Sequence, residues 1–181
     1  MLYVALLRGI NVGGKNKVEM KHLRTALEEA GLKSVRTYIN SGNVIFESPI
    51  RSRSRLVDMI EAAIVKRFGF DVAVLVRDVN NIRKVVKSIP RKWTNDNAMK
   101  CDVMFLWDDV NKPSVVKDLS IKPDLEEVRY APGALIWSVD RKYITRSGMM
   151  RMVGTPLYKR MTIRNVNTAR KLLELMEGSS S

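Results

Sequence analysis

The order in which hydrophobic periods alternate along the first 77 residues constrains the fold most strongly. An apolar run at residues 2–7 predicts a buried strand, and alternation over Val35, Thr37 and Ile39 predicts a half-buried strand that turns into a second arm after residue 43. Apolar residues three to four positions apart predict helices at residues 20–30 and 54–69. With a strand at residues 72–76, the order is β-α-β-β-α-β, which is typical of a ferredoxin-like unit with antiparallel pairing.

The second half of the chain repeats part of this order with a weaker helical signal. A third helix is predicted between Asp78 and Pro90, and the polar residues 91–100 are predicted to be a connector. A strand at 103–107, a short helix at 113–119, a hairpin at 125–139, a basic segment at 141–160 and a last helix from Asn165 or Asn167 follow.

We therefore predict an α+β protein with mainly antiparallel sheets. A ferredoxin-like half covers residues 1–77, a helix and connector cover 78–100, and a related α+β half covers 101–177. Residues 178–181 are predicted to be a disordered tail.

The net charge of +13 is unevenly distributed along the sequence. Residues 140–171 contain nine basic residues and one acid, and residues 51–92 contain eleven against four. Such a surface attracts polyanions and steers them at long range. The alternative is a basic surface that only keeps the protein in solution.

Cysteine, histidine and hydrophobic content exclude several functional classes. A single cysteine, Cys101, excludes an internal disulfide, and with a single histidine, His22, it also excludes a Cys/His zinc site. His22 falls within a predicted helix, which disfavours a Ser-His-Asp triad. No apolar run approaches the ~20 residues of a membrane helix, and no leader is visible. We expect a cytoplasmic protein without cofactor, metal or membrane partner.

A glycine-rich stretch after the first strand matches the phosphate-binding P-loop pattern only formally. Gly9, Gly14 and Lys15 have the required spacing, but Asn16 replaces the hydroxyl residue that would bind Mg²⁺. The next helix also begins several residues too late to place its N-terminus at a phosphate. A loop that binds some other anion, and a loop that needs glycine only for its geometry, both remain open.

Four segments, in the right order, resemble the bacterial family known as domain of unknown function 1697. They are residues 3–15, which contain Arg-Gly-Ile-Asn-Val-Gly-Gly-Lys, residues 36–44, residues 67–72, and residues 162–168. The resemblance implies an α+β fold with repeated ferredoxin-like units and no established activity or cofactor. Val166 stands where the family pattern often has tryptophan.

The polar residues of these segments are the candidate ligand-binding site. They all lie at predicted strand ends, turns or a helix start: Arg8, Gly9, Asn11, Gly13, Gly14, Lys15, Asn40, Ser41, Asn43, Thr162, Arg164, Asn165 and Asn167. If the loops converge, they form a polar pocket with two guanidinium groups that suits phosphate or carboxylate. The alternative is that the Asn and Ser side chains only cap helices and turns.

Carboxylates and methionines elsewhere give weaker indications. The adjacent pairs Asp108-Asp109 and Glu126-Glu127 are expected to be solvated rather than catalytic. Four methionines stand among basic residues and are expected either to fill the core or to line an adaptable groove: Met149, Met150, Met152 and Met161.

The leading hypothesis is an anion-binding protein that contacts nucleic acid or a phosphorylated ligand. It would do so through its basic face and through the loops of the four family-like segments, here called the signature loops. One alternative is an enzyme acting on a small phosphorylated or carboxylated substrate in a polar pocket. Another is a protein-interaction module. A continuous positive face would favour the first, and an enclosed pocket at the signature loops would favour the second.

Overall fold

The computed structural model describes residues 1–178, so three residues of the predicted tail, 179–181, lie outside the described residues. The chain divides into two compact units. The first contains Met1–Val79 and the C-terminal residues from Leu175 onward, and the second contains Asn80–Glu174. Each unit holds a four-stranded antiparallel sheet, so the predicted α+β class is confirmed.

The first unit has the ferredoxin-like topology that its hydrophobic periods predict. Its strands are β1 (Leu2–Leu7), β2 (Lys33–Tyr38), β3 (Asn43–Glu47) and β4 (Val74–Asp78). Their order in the sheet is β2-β3-β1-β4, and every neighbouring pair is antiparallel. The central strand β1 is continuously apolar because both of its faces are buried.

Two helices bury their apolar faces against this sheet. Helix α1 (Met20–Glu29) contributes Leu23 and Leu27, and helix α2 (Arg53–Phe68) contributes Leu56 and Ile60 to the same core. Ser52 caps α2 by accepting a hydrogen bond from the backbone N–H of Arg55, so the helix begins one residue before the predicted start at residue 54. Gly69 ends α2 with φ 80°, as its sequence position predicts.

One residue of the predicted β2 pattern lies outside the strand. Ile39 has φ 50° and is 49% exposed, in the turn that follows Tyr38. A β-branched side chain rarely adopts this left-handed conformation, because its Cβ substituents clash with the backbone. The alternation that assigned Ile39 to the buried face therefore stops one residue earlier than predicted.

The second unit repeats the strand order of the first. Its strands are β5 (Met99–Leu106), β6 (Glu126–Ala131), β7 (Ala134–Asp140) and β8 (Met161–Asn165), arranged as β6-β7-β5-β8. Strand β8 was not predicted from the sequence. Helix α3 (Val79–Lys87) follows β4, and helix α4 (Val166–Glu177) follows β8, so each sheet's last strand is followed by a helix.

Short 3-10 segments in the second unit take the place of α1 and α2. Asp108–Val110 and Pro113–Asp118 connect β5 to β6, and Arg141–Arg146, Gly148–Met152 and Tyr158–Arg160 connect β7 to β8. The short helix expected at 113–119 is therefore a 3-10 segment. Buried methionines fill the core beneath these segments: Met104, Met149, Met152 and Met161.

The Glu126 carboxylate ties the 3-10 segments to this sheet. It is only 5% exposed, and its Oε1 accepts hydrogen bonds from the backbone N–H groups of Lys122 at 2.9 Å and Gly148 at 2.7 Å. Its Oε2 accepts from Trp137 Nε1 at 2.8 Å and from the Ser147 hydroxyl. The expectation that Glu126 is solvated is therefore wrong. The other member of the pair, Glu127, is half exposed and paired with Arg129, and Asp108 and Asp109 are also exposed, as expected.

Cys101 lies in the middle of the second sheet, on the long strand β5. Its side chain is fully buried, and its Sγ donates to Ser138 Oγ at 3.2 Å. Burial raises the pKa of the Cys101 thiol. Across residues 1–178, no helix is both long and apolar enough to cross a membrane.

Candidate functional site

The glycine-rich loop at residues 8–18, here called the glycine loop, is a compact hairpin in which several residues have a left-handed backbone conformation. Five of its residues have positive φ: Gly9, Asn11, Gly13, Gly14 and Asn16. Glycine and asparagine tolerate this conformation best, which explains the composition of the loop. The backbone N–H of Asn11 donates to Asn16 O at 3.1 Å, and that of Lys15 donates to Val12 O at 3.2 Å. The tip, with Val12 and Lys15, is exposed.

Asn11 joins the glycine loop to the β2–β3 turn at residues 39–42. Its Oδ1 accepts from the backbone N–H of Val18 at 2.8 Å, and its Nδ2 donates to Val18 O at 2.9 Å. The same Nδ2 donates to the backbone oxygen of Asn40 at 2.8 Å. These three bonds close the glycine loop and bring the first two signature segments together.

The β2–β3 turn uses the other polar signature residues for its own geometry. Asn43 is fully buried, and its Nδ2 donates to Tyr38 O at 3.0 Å and to Ser41 Oγ at 2.9 Å. Gly42 has φ 78°, and a Cβ there would lie 2.7 Å from Leu7 Cβ. For Asn43 and Ser41, the turn-chemistry alternative accounts for these contacts. Asn40 is exposed.

A cavity of about 660 Å³ lies where these loops meet α1. Its lining comes from the glycine loop, the β2–β3 turn, the start of α1 and the end of α2: Asn11, Gly14, Lys17, Val18, Glu19, Met20, His22, Asn40 and Phe68. Three apolar side chains thus stand beside one lysine, one histidine, one glutamate and two asparagines. This mixture of an apolar wall with a few polar groups is typical of small-molecule sites.

The N-terminus of α1 opens onto the same cavity. Its N-cap residue, Glu19, makes no side-chain capping bond, and the first intrahelical bond runs from the N–H of Leu23 to Glu19 O. The N–H groups of the first helical turn are therefore without a capping side chain and carry the positive end of the helix dipole.

Sequence reasoning missed His22 as a site residue. It was considered only as a zinc ligand and as a triad base, and its place in a helix counted against the second role. It is the third residue of α1, lines the cavity, and its Nδ1 lies 3.3 Å from Glu19 Oε2. Its closeness to the helix start, next to the signature loop, was the available signal.

The geometry of the glycine loop excludes a P-loop. Helix α1 begins at Met20, five positions after Lys15, and β1 pairs only with antiparallel neighbours. Arg8 is half-buried at the end of β1, and its backbone N–H donates to Ala73 O at 2.9 Å. The hypothesis that the glycine loop binds an anion therefore depends on a cavity beside the loop and not on a nucleotide-binding motif.

The C-terminal signature residues all belong to the second unit. Arg164 is 7% exposed, its guanidinium donates to Thr162 Oγ1 at 3.1 Å and to Ile163 O at 2.8 Å, and burial lowers its pKa to about 10. Asn165 Oδ1 caps α4 by accepting from the N–H of Thr168 at 2.9 Å. Asn167 is exposed and donates to Asn95 O at 2.9 Å. Within this unit, these residues build a strand end and a helix start.

Part of the charge of residues 141–160, the basic segment, is used in contacts within the second unit. Arg160 forms a two-pronged contact with Asp109 at 2.7 and 2.9 Å, and this hydrogen bonding lowers the pKa of the Asp109 carboxyl. Lys142 and Arg146 lie 4.8 and 5.4 Å from the ring centre of Tyr143. The remaining exposed cations of the segment include Arg151 and Lys159. Residues 1–178 contain no group of three acidic, His or Cys side chains that could hold a metal ion.

The fold and site define a small α+β protein of two repeated antiparallel units, with a loop-built cavity in the first. Its family follows from comparison with known sequences. The sequence profile of the protein of unknown function DUF1697 matches residues 1–137, and the chain belongs to this family. The conserved bacterial protein SP0830 from Streptococcus pneumoniae has a similar solved structure. It is 30% identical, with a TM-score of 0.81 over 97% of this chain and 98% of that chain. No curated protein matches the sequence.

Proposed function

We propose that the first unit binds a small phosphorylated ligand in the cavity beside the glycine loop. The observation that carries this proposal is the joint lining of one cavity by both N-terminal signature loops and the start of α1. The cavity volume of about 660 Å³ falls within the range of small-molecule sites, roughly 300–1,000 Å³.

The charged part of the cavity suits a phosphate group. Lys17 supplies a cation at the wall, and the first-turn N–H groups of α1 supply donors with the dipole aligned. Lysine acts as a point charge toward phosphate and needs no fixed approach geometry. The carboxylate of Glu19, which also lines the cavity, lies 3.3 Å from Nδ1 of His22.

The apolar part of the cavity suits the organic body of such a ligand. Val18, Met20 and Phe68 provide a surface on which a planar or aliphatic group packs. Asn40 stands at the wall with an amide that both donates and accepts hydrogen bonds, which suits a hydroxyl or a base edge. A nucleoside monophosphate combines these features.

A histidine NMR titration tests the proposal, because His22 is the only histidine of the chain and lines the cavity. The protein is titrated with adenosine monophosphate, ribose 5-phosphate and inorganic phosphate, with adenosine as the uncharged comparison. We expect saturable shifts of the His22 ring signals with the phosphorylated probes and much weaker binding of adenosine. Raising the salt concentration should weaken binding.

Matched lysine variants locate the phosphate. Lys17→Gln removes the cation that lines the cavity, and we expect binding to weaken about tenfold, the usual loss for one charge-assisted hydrogen bond. Lys21→Gln removes a neighbouring exposed cation that does not line it and should leave affinity nearly unchanged. Unshifted His22 signals at millimolar ligand, or equal losses in the two variants, would refute the proposal.

A second candidate function is nucleic-acid binding by the basic segment. It is favoured by the half-buried ring of Tyr143, which stands between Lys142 and Arg146, and by further exposed cations along the segment. Aromatic rings combined with mobile cations bind single strands through stacking and phosphate contacts. The ion pair between Arg160 and Asp109 reduces the charge available for this purpose.

Fluorescence anisotropy distinguishes the two candidates. Labelled single-stranded RNA, single-stranded DNA and duplex DNA are titrated with protein at several salt concentrations. If the basic segment binds nucleic acid, Arg146→Gln should reduce the slope of log K against log salt by about one, whereas Lys112→Gln, outside the segment, should not. Weak binding that disappears equally for all three probes near physiological salt would reject this candidate.

A further inference from the structure

A second, smaller cavity lies within the second unit and is independent of the proposed phosphate site. Its volume is about 320 Å³, and it lies beside the 3-10 segments Pro113–Asp118 and Gly148–Met152. Its apolar lining includes Leu119, Met149, Met152 and Leu157, and two charged residues, Asp118 and Arg151, also line it. Apolar lining combined with both signs of charge is not explained by core packing alone.

Two sets of contacts fix the segments around the cavity. The Glu126 carboxylate binds the hydroxyl of Ser147 and the N–H of Gly148, at the start of one segment. The Gly148 backbone packs so closely against the carbonyl of Ser120 that a Cβ would lie 1.5 Å from that oxygen. These contacts fix the backbone around the cavity, and a preformed cavity binds a ligand with a smaller ordering cost.

The two charges at the cavity are available to a ligand. Asp118 and Arg151 are both exposed. Within residues 1–178, neither side chain makes an ion pair or hydrogen bond, including with the other. A carboxylate and a guanidinium that line one cavity without pairing are complementary to a ligand that carries both an ammonium and a carboxylate.

We propose that this cavity binds a free apolar α-amino acid. The Arg151 guanidinium receives the ligand carboxylate, Asp118 receives the ammonium, and the aliphatic side chain enters between Met149 and Met152. Flexible methionine side chains adapt to several aliphatic shapes, so leucine, isoleucine and methionine should bind with similar affinity. The pairing of one cation with one carboxylate separates this ligand from the phosphorylated one proposed for the first unit.

Methyl NMR of the methionines tests this proposal directly. Protein labelled with ¹³C at the methionine methyl groups is titrated with L-leucine, and the Met149 and Met152 signals are assigned by Met→Leu variants. We expect saturable shifts confined to these two methyls. Two analogues, 4-methylpentanoate without the ammonium and 3-methylbutylamine without the carboxylate, should bind at least tenfold more weakly.

Charge variants assign each end of the ligand. Arg151→Gln should weaken leucine binding about tenfold without changing the weak binding of 3-methylbutylamine, because that analogue has no carboxylate. Asp118→Asn should weaken leucine binding without changing that of 4-methylpentanoate. Both residues are exposed and unpaired, so both variants should fold, and Lys159→Gln, an exposed cation outside the cavity, serves as the control.

Two results would overturn the proposal. One is the absence of saturable shifts at Met149 and Met152 with L-leucine at about 10 mM, a concentration well above the Kd of a weak specific site. The other is leucine binding that survives Arg151→Gln and Asp118→Asn unchanged. Neither result bears on the His22 titration in the first unit, so failure of one proposal is distinguishable from failure of the other.

Discussion

Replacement of the buried Glu126 by glutamine is the sharpest test of what holds the second unit together. The carboxylate accepts four hydrogen bonds, whereas the amide of Glu126→Gln accepts through one oxygen only. In the best arrangement the amide oxygen keeps both backbone donors and its NH₂ donates to the Ser147 hydroxyl. The indole N–H of Trp137 then faces another donor and is left without a partner.

The expected cost follows from this count. One buried unsatisfied donor costs about 1–3 kcal/mol, and the loss of charge assistance in the remaining bonds adds about 1 kcal/mol. We therefore expect Glu126→Gln to lower the free energy of unfolding by about 2–4 kcal/mol, measured by urea denaturation. The neighbouring Glu127→Gln removes only an exposed ion pair with Arg129 and should cost under about 1 kcal/mol.

The pH dependence gives an independent check. Burial alone would raise the pKa of the Glu126 carboxyl, but the four hydrogen bonds that it accepts outweigh burial and hold the pKa below its ordinary value. A lowered folded-state pKa means that the stabilisation is fully present above the ordinary carboxyl pKa and is lost as pH falls through the folded-state value. The difference in free energy of unfolding between wild type and Glu126→Gln should therefore become smaller as the pH falls into the acid range. Equal costs for the Glu126 and Glu127 variants would show that this reasoning is wrong.

Four further substitutions have defined expectations. Gly148→Ala should prevent folding of the second unit or destabilise it severely, because its Cβ meets a backbone oxygen, whereas Gly154→Ala, which has open space and only a positive φ, should cost about 1–2 kcal/mol by thermal denaturation. Asp109→Asn should cost under about 1 kcal/mol, because its ion pair with Arg160 is half exposed. Since hydrogen bonding to Arg160 lowers the pKa of Asp109, that small contribution should disappear as pH falls below the ordinary carboxyl range. Ile39→Gly should relieve left-handed strain and raise the urea midpoint, and a lower midpoint would show that the Ile39 side chain makes a stabilising contact that outweighs the strain.

The first unit was predictable because its sequence shows clearly both the hydrophobic period of strands and that of helices. Strands and helices alternate with glycine at the helix ends, and Gly31 and Gly69 follow α1 and α2 in the left-handed conformation, as expected. The second unit was harder, because its connections are 3-10 segments whose apolar residues follow no helical period. Strand β8 is short and carries a buried Arg164, so it did not resemble a strand in the sequence.

Only part of the candidate site was predictable, because some of its contacts join residues that are far apart in sequence. The glycine loop and Asn40 were selected because they are polar loop residues, and they do line or shape the cavity. The role of Asn11 as the link between two loops depends on backbone atoms far apart in sequence, which no local pattern reveals. Glu126 and the adjacent Glu127 differ only in the face of β6 on which they lie, so composition could not separate the buried carboxylate from the exposed one.

Chemical labelling of Cys101, the single thiol of the chain, can be used to measure how often the second sheet opens. Cys101 is sealed on the central strand β5, and a thiol reagent reaches it only when that strand is exposed. Because the chain has no other cysteine, the labelling rate measures opening of the second unit alone, while the first unit stays silent. A labelling free energy smaller than that of global unfolding in urea would mean that the unit with 3-10 connections opens while the rest of the chain remains folded.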